Sequence, residues 1–213
     1  MPVTAKICGL STAETLDAAI AGGASHVGFV FFPKSPRDVA PDKAAGLAAR
    51  VPDRVTRVGV FVDPDHALLD HAVASGRLAA VQLHGRETPE RVAAIRARHR
   101  VEIWKAVPVR TRGDLASAAA YKGAADRILY DAKTPDSAAL PGGMGLRFDW
   151  RLLNGFAHPL PWALSGGLDA GNVAEAVAIS GARLLDVSSG VESAPGLKDV
   201  DKIAAFLQRT AQL

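Results

Sequence analysis

A few side chains and two glycine-bearing turns could do chemistry in this 213-residue sequence. The single thiol, Cys8, could serve as a general base. A free thiol ionises near pH 8.5, and a cation such as Lys6 or a helix N-terminus would lower that value. The plainer reading of Cys8 is a buried structural cysteine. Asp131 could serve as a general acid if an apolar or anionic setting raises its pKa; otherwise it caps a helix or orders a loop. An acid and a base held in different environments are the minimum for a proton-shuffling isomerisation. Arg37 follows Pro33-Lys34-Ser35-Pro36 and could grip a carboxylate with paired hydrogen bonds, or be a solvated loop charge. His84 reads as a binding or capping histidine. Ser165-Gly166-Gly167 and Ser188-Ser189-Gly190 are turns of small residues, where several backbone N–H groups could approach a ligand without a steric wall. A phosphate needs that arrangement, with a helix N-terminus behind it where one is available.

Metal and cofactor chemistry are not indicated. His26, His66, His71, His84, His99 and His158 show no ligand spacing. Gly142-Gly143-Met144-Gly145 lacks the Lys-Ser/Thr ending of a nucleotide P-loop, so ATP is not expected. That run reads either as a mobile loop over a site or as a simple connection.

The elements that would position these residues alternate regularly. Apolar runs at 5–9, 26–32, 57–62, 79–83, 102–107, 127–130, 162–164 and 184–187 read as strands. Each is followed by a helical pattern. Ser11 or Thr12, Thr88, Thr111 and Asn172 stand at helix starts, Pro64 sits well at another, and Gly22-Gly23 and Gly181 stand at ends. Strands alternating with helices imply a parallel α/β sheet. Eight such units are the count of a closed (β/α)8 barrel, in which phosphate commonly binds after the seventh and eighth strands. The rival, an open doubly wound sheet, would carry its ligand turn after the first strand; here the glycine turns come late. The reading is one barrel domain over 1–213 with short loops, since a typical member runs to about 250 residues.

Strand side chains alternate between two faces. Lys6 and Cys8 share one face of the first strand, Gln82 and His84 of the fourth, Leu129 and Asp131 of the sixth, Asp186 and Ser188 of the eighth. The opposite faces are apolar and suit packing under helices. In a closed barrel Cys8, His84, Asp131, Asp186 and Ser188 would converge at the C-terminal mouth, where barrel enzymes place their chemistry.

Bulk properties narrow the partners. A formal net charge of +3 with no Lys/Arg run argues against nucleic acid, while suiting an anionic small molecule. One cysteine excludes an intrachain disulfide. No apolar stretch of about 18–20 residues is present, so no membrane span is expected. The start, MPVTAKICGL, lacks the pattern of a secretion signal, and a cytoplasmic monomer or homodimer is the expectation.

Four stretches together carry a resemblance: Lys6-Ile7-Cys8-Gly9; Gln82-Leu83-His84-Gly85; Asp131 with Pro141-Gly142-Gly143 and Phe148-Asp149-Trp150; and Leu164-Ser165-Gly166-Gly167-Leu168 with Asp186-Val187-Ser188-Ser189-Gly190-Val191-Glu192. In this order, over nearly the whole chain, they resemble the phosphoribosylanthranilate isomerases of tryptophan biosynthesis. The resemblance implies a single barrel that performs a cofactor-free Amadori rearrangement on a phosphosugar. It implies Asp131 as the general acid that opens the ribose ring and Cys8 as the general base at sugar carbon 2. It further implies Arg37 on the anthranilate carboxylate, His84 and Asp186 along the substrate, and Gly166, Gly167, Ser189 and Gly190 around the phosphate. Met144 departs from the threonine common in that loop, which puts a hydroxyl contact there in doubt. Two other readings stand beside it: a non-catalytic phosphometabolite-binding barrel, and an isomerase of another phosphorylated aminoaldose. The histidine-pathway isomerase usually employs two aspartates, and Cys8 argues against it.

Overall fold

Short runs of Val, Ile, Leu and aromatic residues form parallel strands here because both of their faces are buried. The computed structural model describes residues 2–135 and 140–213; residues 136–139 of the 132–147 loop lie outside them. The barrel strands are β1 (Thr4–Cys8), β2 (His26–Phe31), β3 (Thr56–Phe61), β4 (Ala80–Leu83), β5 (Glu102–Val109), β6 (Arg127–Ala132), β7 (Trp162–Leu164) and β8 (Leu184–Val187). They pair in sequence order, all parallel, and β1 closes on β8, so the eight-stranded barrel is realised.

β5 and β6 each run two residues beyond the sequence expectation. Their ladder continues through Pro108–Asp131 and Val109–Ala132, which puts Asp131 inside a strand rather than after one. A polar side chain ends an apolar run in sequence but does not end a ladder.

The helices are α1 (Ala13–Ala21), α2 (Pro41–Ala48), α3 (His66–Ser75), α4 (Pro89–His99), α5 (Arg112–Ala116), α6 (Val173–Ser180) and α7 (Val200–Thr210). Thr12 and Thr88 cap α1 and α4 through their hydroxyls, each accepting an N–H three residues on at 3.3 Å. Asp65, not Pro64, caps α3: its carboxylate accepts the Leu68 N–H at 2.8 Å. Gly181 ends α6 in the left-handed conformation. Only a 3-10 turn, Trp150–Leu153, follows β6. A small antiparallel hairpin, β9 (Glu192–Ala194) with β10 (Leu197–Lys198), precedes α7. Among the described residues no helix is long and apolar enough to cross a membrane.

Two apolar regions hold the barrel. Outward residues such as Ile7, Phe29, Leu83 and Leu185 are buried under the helices. Inward residues Val58, Ala80, Trp104, Ala106, Leu129, Ala163 and Leu184 fill the lower interior. One step up the same faces, two residues further along, stand Gln82 and Asp186. The apolar plug therefore seals the bottom and leaves a polar layer as the floor of the C-terminal mouth.

Candidate active site at the barrel mouth

The floor is set by strand register. β1 and β8 pair with Lys6 beside Asp186, so two inward side chains of opposite charge become neighbours. Lys6 is fully buried and donates to Asp186 Oδ1 at 2.8 Å and to Gln82 Oε1 at 3.0 Å. Burial works against the ammonium, but the carboxylate of Asp186 and the nearby Cys8 outweigh it and hold the Lys6 pKa above its ordinary value. Ser165, at the end of β7, donates to Asp186 Oδ2 at 3.3 Å. From Gln82 the network continues upward: its amide nitrogen lies 3.2 Å from His84 Nδ1, and His84 Nε2 lies 3.1 Å from Asp131 Oδ2. The other oxygen of Asp131 accepts the Ala132 N–H at 2.9 Å.

Cys8 is buried beside Lys6, with which it shares a hydrogen bond. A neighbouring cation lowers a thiol pKa, and Lys6 does pull that way by charge and by hydrogen bond. Burial is the larger effect, Asp186 adds to it, and the thiol ends above its ordinary value.

Arg37, in the loop after β2, is buried and spends most of its fork on the protein. Nε and Nη2 donate to the two oxygens of Glu192 at 2.7 Å each, and Nη2 also donates to the Gly143 carbonyl at 3.0 Å. Nη1 lies against Gly143, where it would stand 2.7 Å from an added Cβ. Lys198 donates to Glu192 Oε1 at 2.6 Å and to the Ser188 carbonyl at 2.9 Å. Burial would push the Glu192 carboxyl up, but hydrogen bonds and charge from Arg37 and Lys198 hold it below the usual glutamate value.

One cavity gathers these groups. Cys8, Arg37, Gln82, His84, Asp131, Asp186 and Ser188 line it, with Val30, Phe32, Val60 and Val62 as an apolar wall. Gly166, Gly167 and Ser189 line it at the β7 and β8 turns. Neither Gly166 nor Gly167 donates its N–H to another group among the described residues. Gly190 does not line the cavity; a side chain there would collide with the Leu168 carbonyl, so its lack of a Cβ lets the two turns pack together. Asn172 does not cap α6 through its side chain; it accepts the Asp169 N–H and donates to the Gly167 carbonyl at 2.9 Å, fixing the turn. The Gly142–Gly145 stretch covers the mouth: a Cβ on Gly142 would stand 2.6 Å from Asp131 Oδ2 and 2.8 Å from His84 Nε2. Met144 and Leu146 are exposed there.

Sequence reasoning brought the inward polar residues together correctly but gave no role to Glu192, Lys198, Glu87 or Lys105. Glu87 accepts the N–H groups of Asp63 and Gly85, and buried Lys105 stands 3.1 Å from its other oxygen while donating to the Gly85 carbonyl. The pair braces the loop that carries His84. The available signal was Lys105 inside the otherwise apolar run of β5. Among the described residues no group of three or more His, Cys, Asp or Glu side chains is placed to hold a metal ion.

Similarity to known proteins follows the same residues. The family model for N-(5'phosphoribosyl)anthranilate (PRA) isomerase matches residues 5–209. The N-(5'-phosphoribosyl)anthranilate isomerase of Zymomonas mobilis subsp. mobilis is 61% identical over 209 residues, covering 98% of each chain. That of Rhodospirillum centenum is 57% identical over 214 residues, the whole of both. The phosphoribosyl anthranilate isomerase of Thermotoga maritima superposes with a TM-score of 0.89 at 37% identity, over 99% of this chain and 100% of that one. Another, solved in complex with reduced 1-(o-carboxyphenylamino)-1-deoxyribulose 5-phosphate, gives 0.86 at 35% identity over the same shares. The chain belongs to the N-(5'-phosphoribosyl)anthranilate isomerase family.

Proposed function

We propose that the cavity converts N-(5'-phosphoribosyl)anthranilate into 1-(2-carboxyphenylamino)-1-deoxyribulose 5-phosphate, with Asp131 as general acid and Cys8 as general base. The observation that carries this reading is that the Asp131 carboxyl group and the Cys8 thiol line a single cavity with the glycine turns of β7 and β8. The related enzyme solved with the reduced product gives the class of ligand, an aryl-amino phosphosugar.

The chemistry follows from what each group can do. Asp131 donates a proton to the ribose ring oxygen, the C1–O bond breaks, and the nitrogen lone pair forms a cationic Schiff base. That cation acidifies the proton on sugar carbon 2. The Cys8 thiolate removes it, the electron pair moves to the nitrogen, and the resulting enolamine tautomerises to the aminoketose. Since Cys8 is held as a thiol in the free site, it must pass its proton to solvent water in the cavity before this step. The adjacent Schiff-base cation favours that loss. A thiolate whose pKa is high is, in compensation, a strong base once formed.

Binding has three parts. The phosphate goes to Gly166, Gly167 and Ser189, with Gly190 shaping the cradle from behind. The anthranilate ring lies along Val30, Phe32, Val60 and Val62. Its carboxylate meets Arg37 through Nη1, the part of the fork not held by Glu192 or the Gly143 carbonyl.

The test is turnover by purified chain, without added metal or cofactor, on substrate generated in situ and followed by loss of its fluorescence. Asp131→Asn and Cys8→Ala are expected to lose most of kcat with thermal unfolding barely changed. Either variant at near wild-type kcat removes that role. Binding of the phosphosugar without any turnover by the wild type would favour a non-catalytic binding barrel.

A further inference from the structure

We propose that Gln82 is a positioning residue that fixes the tautomer of His84 and thereby the face of Asp131 that works on the substrate. The inference rests on the reading of Asp131 as the acid, but its first half stands on geometry alone.

The argument runs outward from the one group that has no choice. The Lys6 ammonium carries three donors and no acceptor. It is fully buried, its side-chain oxygen partners are Asp186 Oδ1 at 2.8 Å and Gln82 at 3.0 Å, and the Cys8 sulfur is a further acceptor beside it. Gln82 must therefore present its oxygen to Lys6; the flipped amide would set N–H against N–H in a site that excludes water. With Oε1 committed, Nε2 is what faces His84 Nδ1 at 3.2 Å. An amide nitrogen only donates, so Nδ1 must be the bare nitrogen of the ring. In a neutral imidazole the proton then sits on Nε2, and it is donated to Asp131 Oδ2 at 3.1 Å.

Two consequences follow for the reaction. His84 cannot accept a proton at Nε2, because that lone pair is absent in the enforced tautomer. His84 is thus a fixed donor and not an acid–base partner. Asp131 then receives two donors, Ala132 N–H on Oδ1 and His84 Nε2–H on Oδ2, which fix the carboxyl plane. One lone pair of each oxygen remains, and the reacting proton must occupy one of those sites.

The test reads the tautomer directly. In nitrogen-15 spectra of the uniformly labelled protein, a bare ring nitrogen resonates far downfield of one that bears hydrogen, and couplings to the ring protons tell Nδ1 from Nε2. His84 is assigned among the six histidines by its loss in His84→Asn. Wild type is expected to show a bare Nδ1 and a protonated Nε2. Gln82→Glu offers an acceptor to both Lys6 and the ring, so Nδ1 should gain a proton, with kcat falling at least tenfold and KM moving less than threefold. Gln82→Met, close in shape, should release the ring to a mixture of tautomers and lower kcat as well. It carries the test alone if the glutamate variant does not fold. A wild-type His84 with its proton on Nδ1 overturns the proposal. So does an unchanged His84 spectrum in both variants, or a changed tautomer with kcat within twofold of wild type. Asp131→Asn with retained turnover would remove the acid reading separately, leaving the tautomer assignment intact but its catalytic consequence refuted.

Discussion

Replacing Lys6 by Met should destabilise the barrel far more than its loss of one charge suggests. Methionine nearly matches the length of the stem, so little volume is lost. What is lost is the ammonium paired with Asp186: the ion pair at 2.8 Å joins groups 0% and 5% exposed. Among the described residues Asp186 would keep one side-chain donor, Ser165, at 3.3 Å. Breaking a buried pair from one side costs about 3–5 kcal/mol, because the remaining charge is stranded. Asp186→Leu should cost a similar amount, leaving Lys6 with only the neutral partners Gln82 and Cys8 among the described residues. The double variant Lys6→Met/Asp186→Leu strands neither charge, and its loss should fall at least ~2 kcal/mol short of the sum. Urea unfolding of the four proteins at one pH reads all of this. Additive losses within about 0.5 kcal/mol would show that the pair is not coupled, and the account of the polar floor would be wrong.

The thiol should titrate late. A group above its ordinary 9.0 is less than about 1% thiolate at pH 7, so kcat/KM should climb with pH across the neutral range. Thiolate absorbance of the single cysteine gives the midpoint directly. Asp186→Asn should lower it and Lys6→Met raise it, and a wild-type midpoint well below 9 refutes the balance assigned to burial. Gly142→Ala puts a methyl against Asp131 and His84 at a backbone angle alanine can adopt. It should cut kcat by about 100-fold, since a misplacement near 1 Å costs on that order, with the melting temperature little changed. Glu192 is held below its usual value, so its contribution to stability is present above about pH 4.5, the ordinary glutamate value, and lost as pH falls through the lowered one. Glu192→Gln should therefore flatten acid unfolding, and it should raise KM more than it lowers kcat by loosening Arg37.

Most of the barrel was legible because its physics is local and periodic. Apolar runs of three to seven residues recur at regular intervals with threonine caps between them, a pair of glycine turns comes late, and period-two parity alone put Cys8, His84, Asp131 and Asp186 on the inner face. What was not legible depends on pairs far apart in sequence. Nothing near Arg37 announces that Glu192, 155 residues on, will take most of its fork. Nothing near Cys8 announces how completely the barrel will bury it, and burial is what outweighs the pull of Lys6 and carries the thiol above its ordinary value. The β9–β10 hairpin was missed because a two-residue strand has no period to detect.

The same reasoning separates the two charged clusters at the mouth. Lys6–Asp186 lies at the cavity floor, Asp186 lining it and Lys6 fully buried beside it, and its register is set by the β1–β8 seam that closes the barrel. Arg37–Glu192–Lys198 is carried by loops, held by a hairpin and by the carbonyl of Gly143. A floor built on strands fixes geometry; a rim built on loops admits and releases a ligand. Variation that alters which aryl carboxylate is accepted should therefore be found in the rim, where Glu192 and Lys198 can shift Arg37 without disturbing the barrel. Changes to the floor should act on kcat and stability together, because the groups that orient Asp131 also close the sheet.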